Sequence, residues 1–256
     1  MLAKFARLII VFSFFCFLPN AFAAESVIDS HKNGEIAVQM GSKQTAEIAK
    51  TSSFIPAAPD FNVDAYILVD ANTGHVLAEK NADKHLPPAS LTKVMSLYLI
   101  ADALSAKQIN LTDMVNISEK AWRTGGSRMF IEVGSTVSIQ DLINGIVTAS
   151  GNDATVAMAE HMAGSEENFV NLMNQTAKNL GMNDTNFTDG NGVHNDNQFS
   201  TARDLSVLSR IWVSSFPEYY PWFKVRWITY NGIKQPNRNR LLWRNSAVDG
   251  IKTGRS

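Results

Sequence analysis

Three short stretches of the 256-residue sequence carry side chains suited to acyl transfer. Ser90-Leu-Thr-Lys93 spaces a hydroxyl and an amine by three residues, which places both on one face of a helix. A serine hydroxyl is a poor nucleophile until a base takes its proton. A lysine is ordinarily protonated, but burial, a helix N-terminus and a second nearby cation each disfavour the ammonium form. Such surroundings would leave Lys93 a neutral amine able to take the Ser90 proton. Ser150-Gly-Asn152 puts a hydroxyl and an amide on a tight loop, able to relay a proton and to hold a ligand amide. Lys252-Thr-Gly254 offers a charge and a hydroxyl to a carboxylate. Gly254 would leave room for a ligand backbone along a strand edge.

Taken singly, each stretch has a plainer reading. Ser90 could cap a helix while Lys93 is solvated. Asn152 or Asp153 could cap the second helix of an interhelix turn, and Lys252 could protect a sheet edge. A lone S-x-x-K is expected about once by chance in a chain this long. The three together, in this order, outweigh those readings.

The elements that must position them are legible as patterns. Residues 65–69 and 75–78 flank Asp70-Ala-Asn-Thr-Gly74, a strand–turn–strand hairpin. After Pro87-Pro88, a run from Ser90 to Leu104 is apolar around most of its circumference, which predicts a buried helix. Ser138-Ile-Gln-Asp141 opens a helix over 142–147 as a capping box. Helices follow over 154–162 and 168–180, with Gly164 and Gly181 as stops. Residues 183–200 read as a long Asn/Asp/Gly-rich loop, and 201–213 as a further helix. Residues 225–230 before Asn231-Gly232 signal a hairpin, and residues 248–253 a final strand. Helices clustered between sheet-forming ends predict an α+β architecture.

Composition sets the outer bounds. The chain is 45% hydrophobic with a net charge of −1, which excludes a mostly disordered chain and a basic nucleic-acid binder. Lys4, Arg7, an apolar run over 8–18 and Ala21-Phe-Ala23 make a secretory signal over residues 1–23. That run is too short to span a bilayer, which takes about 20 residues. Cleavage after Ala23 removes the single cysteine, Cys16, so the exported chain would owe nothing to disulfides. Residues 24–60 read as a polar leader or linker and 61–256 as the catalytic domain.

The motif set Ser90-x-x-Lys93, Ser150-x-Asn152 and Lys252-Thr-Gly254 resembles that of penicillin-binding proteins and β-lactamases. From Tyr66 to Gly254 the chain is similar to low-molecular-weight penicillin-binding proteins, serine-type D-alanyl-D-alanine carboxypeptidases. The likeness extends to Asp70–Gly74, Pro88–Lys93, Ala149–Ala154, Ser200–Asp204, Asn237-Arg-Asn239 with Leu241-Leu-Trp243, and Val248–Gly254.

The resemblance implies a transpeptidase-like fold, an antiparallel sheet with a helical cluster. It implies Ser90 as nucleophile, Lys93 as its base and Ser150 as a proton relay. Asn152, Lys252, Thr253 and Gly254 would bind substrate. The backbone N–H groups of Ser90 and Arg255 would form the oxyanion hole. It further implies removal of the terminal D-Ala from peptidoglycan stem peptides outside the inner membrane. β-Lactams would be trapped on Ser90, and no metal or organic cofactor is needed.

Family members usually continue beyond K-T-G with His-Thr, further strands, a second domain and an amphipathic membrane anchor. This sequence reads Arg255-Ser256 there, so the expected sheet is incomplete at its C-terminal end. If Ser256 is the terminus, a poorly stable, inactive protein without the anchor is expected. Rival readings are a β-lactamase, with Glu167 as the loose counterpart of a deacylating glutamate, a DD-endopeptidase, or a non-catalytic penicillin sensor. His194 reads as a loop residue and His161 as packed or capping. Residues 219–223 read as core or cleft wall, and Arg238 as a carboxylate partner.

Overall fold

The computed structural model describes residues 58, 60–193 and 195–255. The secretory signal, most of the polar leader and His194 lie outside the described residues. The described residues from Asp60 onward pack as one unit.

The first hairpin joins β1 (Tyr66–Val69) to β2 (Val76–Lys80) in antiparallel register, Tyr66 opposite Lys80. Its turn is tied by Asp70, whose carboxylate accepts from the Thr73 N–H and hydroxyl, both at 2.7 Å. A short 3-10 turn, Ala89–Thr92, carries Ser90 and runs into helix α1 (Lys93–Ser105). The helix is buried as its pattern requires: Met95, Leu97, Ile100 and Ala101 have no exposed surface. The plain capping reading of Ser90 fails, because neither the turn nor α1 has a side-chain cap bond.

Strand β3 (Met114–Asn116) leads to α2 (Glu119–Arg123) and pairs with β4 (Thr136–Ser138). Ser138 caps α3 (Ile139–Thr148) by accepting from the Asp141 N–H at 3.1 Å. Helices α4 (Asn152–Ala163) and α5 (Glu166–Asn179) follow, separated by Gly164 in the left-handed region. Both start two residues earlier than the apolar periodicity indicates. Asn152 is therefore the first residue of α4 rather than its cap, and Ser165 caps α5.

Helix α6 (Ala202–Ser215) is capped by Thr201. It brings Trp212 to the core centre, edge-on to Tyr98, Phe216, Trp222 and Phe223. The Trp212 indole N–H donates to the Val94 carbonyl at 3.2 Å, fixing α6 to α1. Trp222 and Phe223 are thus core, and His161 is exposed on the last turn of α4.

The second hairpin, β5 (Trp227–Tyr230) and β6 (Ile233–Pro236), turns at Asn231 and Gly232, both at positive φ. That is the turn an Asn-Gly pair favours. A one-turn helix α7 (Leu241–Arg244) precedes the last segment.

The structure mixes helices with antiparallel sheet as expected, the sheet being, among the described residues, three two-stranded ladders. One sheet expectation is corrected. Residues 248–253, expected as a strand, pair with no strand among the described residues. A β pattern needs neighbouring backbone to become a ladder. This segment is instead pinned by side chains: Tyr220 donates to Asp249 at 3.0 Å and Asn239 to the Gly250 carbonyl at 3.1 Å.

Candidate active site

A cleft of about 620 Å³ opens between the Ser90 turn, the α3–α4 loop and residues 253–255. Ser90, Ser127, Ser150, Arg238, Thr253 and Arg255 line it. The three sequence motifs therefore meet on one cavity, although they are 60 to 160 residues apart in the chain.

The centre of the arrangement is Lys93, a lysine with no exposed surface. Its Nζ lies 2.7 Å from Asn152 Oδ1, 2.5 Å from the Asn191 carbonyl and 3.4 Å from Ser90 Oγ. The Asn152 amide cannot turn its nitrogen toward Lys93, because Nδ2 donates to the Gly125 carbonyl at 2.9 Å. A neutral amine has two N–H donors and one lone pair. Asn152 Oδ1 and the Asn191 carbonyl only accept, so they take the two donors. The lone pair is left for the Ser90 hydroxyl. Burial first, then the charge of Lys252, pull the Lys93 ammonium down to about 7. Arg238 adds to this lowering, while Asp189 and Asp153 oppose it.

Lys252 sits across the cleft and donates to Ser150 Oγ at 3.1 Å and to the Thr253 carbonyl at 2.9 Å. Burial and then Arg238 lower it to about 8. With its oxygen accepting from Lys252, the Ser150 hydroxyl is free to point its own proton elsewhere. Ser150 has φ 58° and Ala89, immediately before Ser90, has φ 46°. Left-handed backbone at a non-glycine residue costs about 1–2 kcal/mol, so both of these site residues carry strain.

The scaffold around these groups was not read from the sequence. Asp153, fully buried, accepts from the backbone N–H groups of Met129 and Phe130, each at 2.9 Å, and of Ile131 at 3.3 Å. It thereby anchors the 125–131 loop, whose Gly125 and Ser127 carbonyls hold Asn152. On the opposite wall Asp189 accepts from the Asn191 and Gly192 N–H groups, both at 2.6 Å. Gly192 has φ 83°, and a Cβ there would overlap the Ala89 carbonyl. A tie joins the two walls: Glu166, at the start of α5, accepts from Asn191 Nδ2 at 3.2 Å and from Lys120 on α2 at 2.8 Å. The Asp189-Gly-Asn-Gly192 run was the one available sequence signal for this wall.

Two further expectations change. The missing Cβ of Gly254 does not simply make room for a ligand. A Cβ would lie 3.1 Å from the Pro88 carbonyl and 3.3 Å from Leu91, so the glycine lets this segment close on the Ser90 turn. Glu167, the glutamate singled out for the β-lactamase reading, is exposed on α5; its neighbour Glu166 faces the site instead.

The D-alanyl-D-alanine carboxypeptidase family model matches residues 52–256. The chain is 43% identical over 247 residues to the D-alanyl-D-alanine carboxypeptidase DacC of Escherichia coli, covering 94% of this chain and 55% of that protein. It is 44% identical over 216 residues to the Escherichia coli carboxypeptidase DacA, covering 82% and 54%. The chain thus spans about half the length of the curated relatives it matches. Penicillin-binding protein 5 of Haemophilus influenzae superposes with a TM-score of 0.76 at 41% identity, over 79% of this chain and 60% of that one. Penicillin-binding protein D2 of Listeria monocytogenes, solved in an ampicillin-bound form, gives a TM-score of 0.69 at 29% identity, over 78% and 82%.

Proposed function

The chain belongs to the D-alanyl-D-alanine carboxypeptidase family, with the fold of penicillin-binding proteins, and we propose on that footing that it removes the terminal D-Ala from peptidoglycan stem peptides. The observation that carries this reading is the buried Lys93 Nζ held by two acceptors and 3.4 Å from Ser90 Oγ, an arrangement that leaves the lone pair of the deprotonated amine for Ser90.

Lys93 takes the Ser90 proton as Oγ attacks the carbonyl carbon of the penultimate D-Ala. The N–H groups of Ser90 and Arg255 receive the developing oxyanion. As the C–N bond breaks, a proton reaches the leaving amine through Ser150, and D-Ala departs. Water activated by the same lysine then hydrolyses the ester on Ser90. Lys252, Thr253 and Arg238 hold the substrate's terminal carboxylate, while Asn152 and Gly254 shape the walls. A β-lactam acylates Ser90 in the same way, but its leaving amine stays tethered, so the ester persists.

Residues 1–23 act as an export signal, 24–60 as a leader and 61–256 as the catalytic domain, which places the reaction on the wall-facing side of the bacterial inner membrane. Among the described residues no helix is long and apolar enough to cross a membrane.

The test is the intact mass of residues 24–256 after incubation with a penicillin, alongside D-Ala release from a D-Ala-D-Ala peptide. A one-to-one adduct that Ser90→Ala abolishes, together with D-Ala release, is expected. A folded chain with neither adduct nor release contradicts the reading.

A further inference from the structure

Charge is unevenly distributed in this nearly neutral chain. Residues 224–248 hold Lys224, Arg226, Lys234, Arg238, Arg240 and Arg244 and no acidic residue. All six are exposed, and among the described residues only Lys224 meets a carboxylate, that of Asp249 at 3.5 Å.

The same stretch exposes two large aromatics, Trp227 at 49% and Trp243 at 39%. Their rings meet edge to face at 5.8 Å. Lys234 Nζ lies 4.8 Å from the Trp227 ring centre, and Arg226 lies over Trp243. The alternation of β5 and β6 sets Trp227 opposite Pro236 on the outward face, with Ile228 buried on the other. Pro236 itself lines the catalytic cleft, followed by Asn237, Arg238 and Arg240. The aromatic and basic surface is therefore continuous with the cleft. Exposed tryptophans beside unpaired cations mark an interaction surface rather than ordinary solvated protein.

We propose that the face formed by Trp227, Lys234, Trp243 and Arg244 binds the glycan-linked, carboxylate-bearing polymer to which the scissile peptide is attached. Flat indole faces stack on the C–H faces of sugar rings, and lysine and arginine pair with the carboxylates of wall peptides. A short D-Ala-D-Ala peptide lacks the glycan and the neighbouring stem peptides that this face would engage. The inference rests on the carboxypeptidase reading and names the part of the substrate lying beyond the bond that is cut.

The test compares the exported chain with Lys234→Glu/Arg244→Glu and with Trp227→Ala/Trp243→Ala. It uses co-sedimentation with isolated peptidoglycan, co-sedimentation with phosphatidylglycerol-containing vesicles, and D-Ala release from peptidoglycan and from a short peptide. In the charge-reversed variant peptidoglycan binding and turnover should fall about tenfold, with short-peptide turnover within about twofold of wild type. The wild-type difference should shrink as salt is raised. Unchanged peptidoglycan binding in both variants overturns the inference. So does a loss confined to vesicles, which assigns the face to a membrane surface, or an equal loss on short peptide and polymer, which assigns it to the cleft. Wild-type binding to peptidoglycan that these variants lose, without D-Ala release from either substrate, supports the inference and contradicts the catalytic reading. Short-peptide cleavage without peptidoglycan binding does the reverse.

Discussion

The two lysines of the cleft are held in opposite ways. Lys93 begins a buried helix, and both acceptors that fix it are themselves fixed, Asn152 by Gly125 and Asn191 through Asp189 and Glu166. Lys252 lies on a segment that pairs with no ladder among the described residues and is held by Tyr220, Asn239 and the close approach of Gly254 to the Ser90 turn. Lys93 is thus held by acceptors that are themselves fixed, and Lys252 by side-chain ties around it and by the turn that carries Ser90. In the proposed reading the first arrangement sets the proton transfer and the second the grip on a carboxylate.

That contrast can be broken most severely at Lys93. Lys93→Met keeps the volume and removes the base, and Ser90 acylation by a penicillin should fall about 10³-fold, read by mass spectrometry over time. Asp153→Ala should come next. It strands three backbone N–H donors and unpins the 125–131 loop, a loss of about 3 kcal/mol seen as a lower unfolding midpoint in urea.

The two glycines then sharpen the comparison. Gly192→Ala forces a Cβ onto the Ala89 carbonyl at a positive φ and should slow acylation about 10²-fold by displacing Ser90. Gly254→Ala makes only a tight contact, 3.1 Å from the Pro88 carbonyl and with no positive φ to strain, so less than about tenfold is expected. Smallest is Glu166. Glu166→Ala should cost about fivefold in acylation, and Glu166→Gln, which retains an acceptor for Asn191, less.

What the sequence made legible follows the same division. Ser90, Lys93, Ser150 and Lys252 would act, in the proposed reading, through side-chain types at short spacings, which the sequence displays directly. The cap at Ser138 and the Asn231-Gly232 turn were visible for the same local reason. Asn191 holds Lys93 through a backbone carbonyl, which any residue supplies, and so left no mark of its own. Glu166 looks like an ordinary acidic residue in a helix's first turn, and only the folded chain brings Asn191 to it. The strand over 248–253 failed because a β pattern states a capacity to pair, and pairing requires backbone from elsewhere. The helices α4 and α5 begin before their apolar periodicity does, because Asn152, Asp153, Glu166 and Glu167 in their first turns are polar.

The central claim is that burial and Lys252 bring the loss of the Lys93 proton down to about pH 7, and the pH dependence of Ser90 acylation tests it most directly. Lys93 must lose its proton to act, so the rate should climb with pH through about 7. Lys252 must keep its proton to hold a carboxylate, so the rate should fall again above about 8, as a coupled bell-shaped profile. Replacing Lys252 with Gln removes the neighbouring charge and should move the acidic limb upward, at a lower maximal rate. A rate flat from pH 5 to 9, or an acidic limb that persists unchanged in Lys93→Met, would contradict the account.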